Sequence, residues 1–270
     1  MKTANQIHFN ANYGLDAPGV VRNLLLAGIA GLAFWGTSAL NLWSGQIVIG
    51  PIAGNDITLV VAPIGLGVGL GCTTMGLWMI WTSKFGKIKA REELLRHIAW
   101  TGTENVLDVG CGRGLMVIGA ARRLTTGNAV GIDIWQAEDL SGNRPESVLE
   151  NAAHEGVEGR IGICTADMRR LPFPENTFDV ILSSEAIHNI PSPAGRSEAI
   201  IEIARVLRPG GQALIQDIRN QGEYRATLAA HDCQDIRMVG SRMTAALMPL
   251  ITFGALRPTT LLVRKPLSRR

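Results

Sequence analysis

The sequence predicts an α/β fold with a parallel sheet, preceded by a transmembrane helical hairpin. Three observations carry this. Between Arg22 and Lys84 the only charged residue is Asp56. Residues 106–114 read VLDVGCGRG, a short apolar strand running into a turn of three glycines. From Asn128 to Asp217, strand-like apolar runs alternate with helix-like segments, the pattern of successive β–α–β crossovers.

The N-terminal half of the argument is lipophilicity. Leu24–Trp43 and Leu59–Trp81 are free of charge, and each reaches the roughly 20 residues a bilayer core demands of a helix. A helix apolar all round has no face to offer water, and the first run starts too late and runs too long for a cleaved signal. Trp43, Trp78 and Trp81 stand near the run ends, where indoles favour the interface. The loop 44–58 has no lysine or arginine, whereas Lys2 and Arg22 precede the pair and Lys84, Lys87, Lys89 and Arg91 follow it. The positive-inside bias therefore predicts a two-pass protein of the cell (inner) membrane, with both ends and the catalytic part in the cytoplasm. Gly65, Gly67, Gly69 and Gly71 give small-xxx-small spacing for packing the two helices, or two copies of the chain. No buried charge suggests transport, so the pair reads as an anchor.

Four regions follow: a cytoplasmic segment 1–22, the membrane pair 23–83, an amphipathic connecting helix 84–100, and a catalytic domain 101–270. Asp16-Ala17-Pro18 reads as a helix start. Tyr13, just upstream, either folds over the active site or is a plain interfacial tyrosine. In 84–100, Phe85, Ile88, Leu94, Leu95 and Ile98 oppose a basic side expected near lipid headgroups.

The chain of 270 residues has room for one ordinary domain and an extension. A scattered net charge of +3 does not suggest nucleic acid. Cys72, Cys111, Cys164 and Cys233 lack metal-ligand or disulfide-like spacing and the five histidines are dispersed, so no metal is expected and a reducing compartment fits.

Within the catalytic domain the predicted order is strand 106–109, glycine turn, helix 115–124, strand 128–133, irregular segment 136–144, and helix 145–155 ended by Gly156. Strand 161–165, strand 178–183, helix 194–207 and strand 212–217 follow, then a helix 223–231 and an antiparallel closing pair, 233–239 and 260–265. Gly110, Gly112 and Gly114 let backbone approach a ligand closely. Asp133 comes about twenty residues after that turn, where a carboxylate can accept ribose hydroxyls. Trp135 either stacks on a base or covers the sheet. Asp167, at a strand end, can accept an exocyclic amine, with the amide of Met168 reaching a ring nitrogen.

VLDVGCGRG, GID, ADMRRLPFPENTFDVILSS and RVLRPGGQALIQD, in that order, resemble the class I S-adenosylmethionine-dependent methyltransferases, in particular the quinone-biosynthesis and small-molecule branch. The resemblance covers roughly residues 87–266 and not the membrane pair. It implies a Rossmann-like seven-stranded sheet with an antiparallel last strand and S-adenosyl-L-methionine as cofactor. It also implies that Asp108, Gly110, Gly112 and Gly114 hold the methionine part, Asp133 the ribose, Asp167 and Met168 the adenine, and the carbonyl region around Ser183 the amino group. A nicotinamide-dependent oxidoreductase shares the first half of this pattern. Its third glycine, however, would fall at Leu115, and ADM and LRPGG lie outside its signature.

Glu185 and His188 leave the C-terminal edge of the fourth strand and are the candidate base or acceptor-orienting groups. His188 can equally be a loop-shaping histidine and Glu185 a helix-start carboxylate; Asp217 is a third candidate. Met243, Leu247, Met248, Ile251 and Phe253 form an apolar stretch that lines the acceptor pocket, dips into the membrane or joins the core. The expected function is methylation of a lipophilic or membrane-delivered small molecule at oxygen, carbon or sulfur. The bilayer is a partner, and self-association through the glycine-rich helix is open. A non-catalytic membrane scaffold is the remaining alternative.

Overall fold

The computed structural model describes residues 11–52, 55–136, 138, 140–240 and 257–267. They divide into two compact units, one helical (Leu15–Gly86 with Glu138–Ser141) and one α/β (up to Gly14, Lys87–Ala137 and Gly142 onward).

In the helical unit, α1 (Pro18–Ala39) and α2 (Ala62–Trp81) flank an antiparallel pair, β1 (Gln46–Ile52) with β2 (Asn55–Val60), and a π-helical turn at Thr82–Gly86 follows. Both helices have the length and hydropathy of a membrane span. Their bounds differ from the expected 24–43 and 59–81. A proline in the first turn starts each helix, and the β-branched runs Ile47-Val48-Ile49 and Ile57-Thr58 favour an extended hairpin over helix. Freedom from charge marks apolar chain without marking its secondary structure.

The α1–α2 contact is made of glycine. A Cβ on Gly31 would lie 2.7 Å from the Gly69 amide nitrogen, and one on Gly65 would lie 2.6 Å from the Phe34 ring. Gly67 and Gly71 face open space, so only one of the two small-residue rows is used here. Large apolar side chains point outward instead: Leu26, Ile29, Ile64, Leu70, Leu77 and Trp81 are each more than half exposed.

The α/β unit is a seven-stranded sheet in the order β5-β4-β3-β6-β7-β9-β8. Its strands are β3 (Asn105–Val109), β4 (Asn128–Asp133), β5 (Ile161–Thr165), β6 (Phe178–Ser184), β7 (Leu207–Asp217), β8 (Gln234–Val239) and β9 (Thr259–Arg264). The first five are parallel, and β9 and β8 close the edge antiparallel. The expected closing pair is present, while β7 begins five residues early and takes in the RPGG segment.

Helices cover both faces, which is why the central strands are apolar almost throughout. On one side α6 (Pro193–Val206) and α7 (Gln221–Ala230) bury Ile200, Ile203, Tyr224 and Leu228 against Leu107, Ile181 and Ile215. On the other, α3 (Lys87–Leu95), α4 (Leu115–Ala121) and α5 (Pro145–His154) bury Leu95, Ile118 and Val148 against Val106, Val180 and Leu214. Each fully buried aliphatic side chain contributes about 1.5–3 kcal/mol.

Two expectations are corrected here. Residues 84–100 do not form one helix with its cations turned outward: α3 spans Lys87–Leu95, and Arg91 on it is buried. Arg91 Nη1 and Nη2 donate to Glu155 at 2.8 and 3.1 Å, and Arg122 donates to the same carboxylate at 2.8 Å. Tyr13 neither roofs a site nor sits at an interface. Its ring is buried, its hydroxyl bonds Glu155, and Arg91 reaches the same hydroxyl at 3.1 Å. Burial alone would raise the Glu155 carboxyl, but hydrogen bonds and charge from Arg91, with Tyr13 and Arg122, hold it down at about 2. Periodicity cannot see this pairing, because its partners are 64 and 142 residues apart. The apolar stretch Met243–Phe253 lies outside the described residues.

Candidate functional site

Strand order reverses between β3 and β6: the chain moves outward through β4 and β5, then returns to the other side of β3. Open α/β sheets bind ligands at that switch, beyond the C-terminal strand ends. The residues at those ends are the glycine turn after β3, Asp133 on β4, Asp167 after β5, Ser183 and Ser184 on β6 with Glu185 just after it, and Asp217 on β7. A polar depression at the opposite edge, lined by Thr103, Asp179, Arg208 and Gly211, contains none of them. Topology rather than concavity locates the site.

The turn after β3 has Gly110, Gly112 and Gly114 at φ +75°, +53° and +87°, a left-handed path that other residues adopt at a cost. Amides of Gly110 and Cys111 both donate to the Ile132 carbonyl at 2.9 Å, tying the turn to β4. Asp133 Oδ2 accepts the Gly112 amide at 2.9 Å, and Oδ1 accepts the Trp135 amide at 2.6 Å and Asn143 Nδ2 at 3.2 Å. The ribose candidate is thus aimed by the turn itself and by Asn143, a residue the sequence reading passed over inside an irregular polar stretch. Trp135 is left-handed (φ +62°), and its indole donates to Thr165 at 2.8 Å.

Asp108 sits beneath this turn. It is buried, its Oδ2 accepts the Val117 amide of α4 at 2.8 Å, and its Oδ1 has no hydrogen-bond partner among the described residues. Burial, against the help of that amide and with the charge of Asp133, pushes its carboxyl up to about 7. The folded state therefore keeps this proton to a higher pH than the unfolded chain does, and stability falls as pH rises from about 4 towards 7. Denaturation midpoints at pH 5 and pH 8 should differ less in Asp108→Asn than in the native protein; an equal difference in both would assign the drop to other groups.

After β5, Asp167 is bound by Arg169 through its backbone amide at 2.9 Å and its guanidinium at 2.5–3.0 Å, which lowers the carboxyl below its usual range. The neighbouring Met168 amide donates to no partner among the described residues. The Ser183 hydroxyl is buried and donates to the Val109 carbonyl at 3.0 Å, so this side chain locks β6 to β3 rather than facing a ligand.

Glu185 and His188 follow β6. Glu185 is exposed and left-handed (φ +53°), and its Oε1 accepts Gln216 Nε2 at 3.1 Å. A left-handed glutamate or tryptophan costs about 1–3 kcal/mol, and such outliers gather at functional sites. His188 is mostly buried. Its Nδ1 lies 2.5 Å from Asp217 Oδ1, and its backbone amide donates to Asp217 Oδ2 at 3.0 Å. Asp217 also accepts the Ile218 amide at 2.8 Å and the Tyr224 hydroxyl at 3.0 Å. The sequence weighed His188 and Asp217 as separate candidates; the structure joins them, and it adds Tyr224.

A family model described as a methyltransferase domain matches residues 107–215. This segment is a methyltransferase domain. "Methyltransferase GfsG" of Streptomyces halstedii is 34% identical over 131 residues, covering 48% of this chain and 44% of that protein. "Ubiquinone/menaquinone biosynthesis C-methyltransferase UbiE" of Geobacter sulfurreducens is 32% identical over 126 residues, 46% of each. The chain therefore spans about half the length of the curated relatives it matches. Among solved structures, a geranyl diphosphate methyltransferase in complex with S-adenosylmethionine superposes with a TM-score of 0.51 at 16% identity, covering 66% of this chain and 85% of that one. The fold is that of the S-adenosylmethionine-dependent methyltransferases. Around its strand ends the domain carries a bulk-free glycine turn, a buried Asp108 oxygen and a Met168 amide that have no hydrogen-bond partner among the described residues.

Proposed function

We propose that the chain is a membrane-anchored methyltransferase that uses S-adenosyl-L-methionine to methylate a lipophilic or membrane-delivered small molecule. The observation that carries the reading is the convergence of the glycine turn, Asp133, Asp167 and Met168 on the strand ends of the matched domain. Asp108, Gly110, Gly112, Gly114 and the Ser183 carbonyl region hold the methionine part; Asp133 takes the ribose hydroxyls, with Trp135 beside it. Asp167 and the Met168 amide take the adenine edge. Bound S-adenosylmethionine supplies an electrophilic methyl group on a positive sulfur. What remains for the chain is to align an acceptor in line with it, keep water out and remove a proton.

His188 is the base in this reading, and Glu185 orients the acceptor. His188→Gln should lower kcat by about 10²–10⁴-fold while leaving cofactor affinity, measured calorimetrically, unchanged. Equal loss of both would make His188 a binding residue instead.

The anchor is supported by an inside-out distribution. A soluble helical pair buries its large apolar side chains, whereas here glycines face inward and Leu26, Ile29, Ile64 and Leu70 face outward. Incubating the detergent-solubilised chain with methyl-labelled S-adenosylmethionine and lipid, quinone and thiol extracts tests the reading as a whole. Label should enter a lipid-soluble product and should not do so with Gly112→Arg. Retention of full-length chain in the soluble fraction without detergent would remove the anchor.

A further inference from the structure

Tyr224, Asp217 and His188 form a buried relay with one free end. Asp217 is 1% exposed and its two oxygens accept four groups: the His188 ring and backbone amide, the Ile218 amide and the Tyr224 hydroxyl. A carboxylate has about four acceptor positions, so Asp217 has none left for a substrate proton. Both donating amides and the phenol require acceptor oxygens, and the His188 Nδ1 contact on Oδ1 is then satisfied by Nδ1–H donating. The other ring nitrogen, Nε2, has no hydrogen-bond partner among the described residues, and 15% of the side chain remains accessible.

The rest of the surroundings confirm that this is a built arrangement rather than a loop contact. Tyr224 is fully buried and lies seven residues after Asp217, in the first turn of α7, which starts at Gln221. Arg196 of α6 donates to the carbonyls of Ile190 and Pro191 and to Glu223 of α7 at 2.9–3.3 Å. The two residues that follow the 3₁₀ turn carrying His188 (Ile187–Asn189) are thereby held to α6, and α6 to α7.

We infer that Asp217, backed by Tyr224, is a positioning residue that fixes His188 as the Nδ1–H tautomer and leaves Nε2 to take a proton, so that the acceptor is an oxygen or carbon acid rather than a thiol. The inference rests on the methyl-transfer reading. As the acceptor forms its bond to the methyl carbon, the methyl–sulfur bond breaks with its electron pair passing to sulfur. The acceptor's proton moves to Nε2, and the imidazolium returns it to water. A thiol, with a pKa near 8.5, supplies its own thiolate at neutral pH, whereas a phenol near 10 or an acidic carbon does not. A carboxylate buried behind a histidine performs this tautomer-fixing role in serine proteases, where its amide variant reverses the tautomer.

The test uses the full chain in detergent with ¹⁵N-labelled histidine, the His188 signal being assigned by its loss in His188→Gln. Native protein should show Nδ1 protonated and Nε2 bare without any cofactor or acceptor. Asp217→Asn should lose that preference, and Tyr224→Phe should keep it. A native Nε2–H tautomer, or an unchanged one in Asp217→Asn with a native circular-dichroism spectrum, overturns the positioning role. Acceptor class is read by offering labelled S-adenosylmethionine with 4-pentylphenol and its sulfur counterpart 4-pentylthiophenol, which is ionised at neutral pH, together. Label on the phenol, lost about 100-fold in Asp217→Asn at unchanged KM, is the expected result. Label on the thiol, or on neither while calorimetry shows the cofactor bound, overturns it. Absence of cofactor binding would instead remove the methyl-transfer reading and leave the tautomer result standing.

Discussion

Arg91→Met should destabilise the α/β unit by about 3–5 kcal/mol, the loss expected when one partner of a buried ion pair is removed and its charge is left behind. The Arg91 side chain has no exposure and that of Glu155 is 3% exposed. The stem of Arg91 lies across α4 at Gly119, where a Cβ would come within 2.5 Å of Arg91 Cδ. With Arg91 gone, Glu155 retains, among the described residues, the half-exposed Arg122 and the Tyr13 hydroxyl. The pair of substitutions Arg91→Met and Glu155→Gln should recover most of the loss, because it removes the stranded charge. Urea denaturation followed by tryptophan fluorescence measures both variants. A single-variant loss below about 1 kcal/mol would show that Glu155 is as well solvated as a surface carboxylate. The same network anchors residues 12–14: Lys87 donates to the carbonyls of Tyr13 and Gly14, and Asn151 exchanges hydrogen bonds with Asn12. Arg91→Met should therefore also expose the segment before the first helix to proteolysis.

The α/β unit was legible because its signals are local. A strand–glycine turn–helix unit, an acid some twenty residues on, and LRPGG at the start of a strand each occupy a few neighbouring positions, and the sheet follows from their order. What escaped depends on distance along the chain. Arg91 looked like one of several cations on an amphipathic segment, since nothing near it in sequence announces Glu155. Asp217 and His188 are 29 residues apart, and Tyr224 joins them only once β7 and α7 pack. The hairpin Gln46–Val60 escaped for a different reason: a window free of charge reads as lipophilic whether it coils or extends. Backbone strain was invisible too. No pattern of residue types foretells that Trp135 and Glu185, each just past a strand end, take left-handed backbone, although a glycine would do so freely.

Gly110→Ala should abolish cofactor binding while leaving the domain folded. At φ +75° an alanine carries a strain of about 1–2 kcal/mol, and its Cβ would stand 2.3 Å from the Ala186 Cβ. Neither atom is the end of a flexible side chain, so the turn after β3 and the loop after β6 must part. These are the two segments that flank the topological switch, and Met168 Cε, 3.4 Å from the same point, borders it. A displacement of about 1 Å in a positioned site costs on the order of 100-fold, and calorimetric titration with S-adenosylmethionine should show at least that loss. Gly159→Ala is the control: a Cβ there meets nothing within 4 Å, and binding should match the native chain. Adding Ala186→Gly to Gly110→Ala removes the collision but not the strain, so the double variant should regain part of the affinity. That partial recovery separates contact from conformation, because a turn that failed from strain alone would gain nothing. Native affinity in Gly110→Ala would mean that the β3 and β6 ends do not jointly hold the cofactor, and the proposed site would have to be moved.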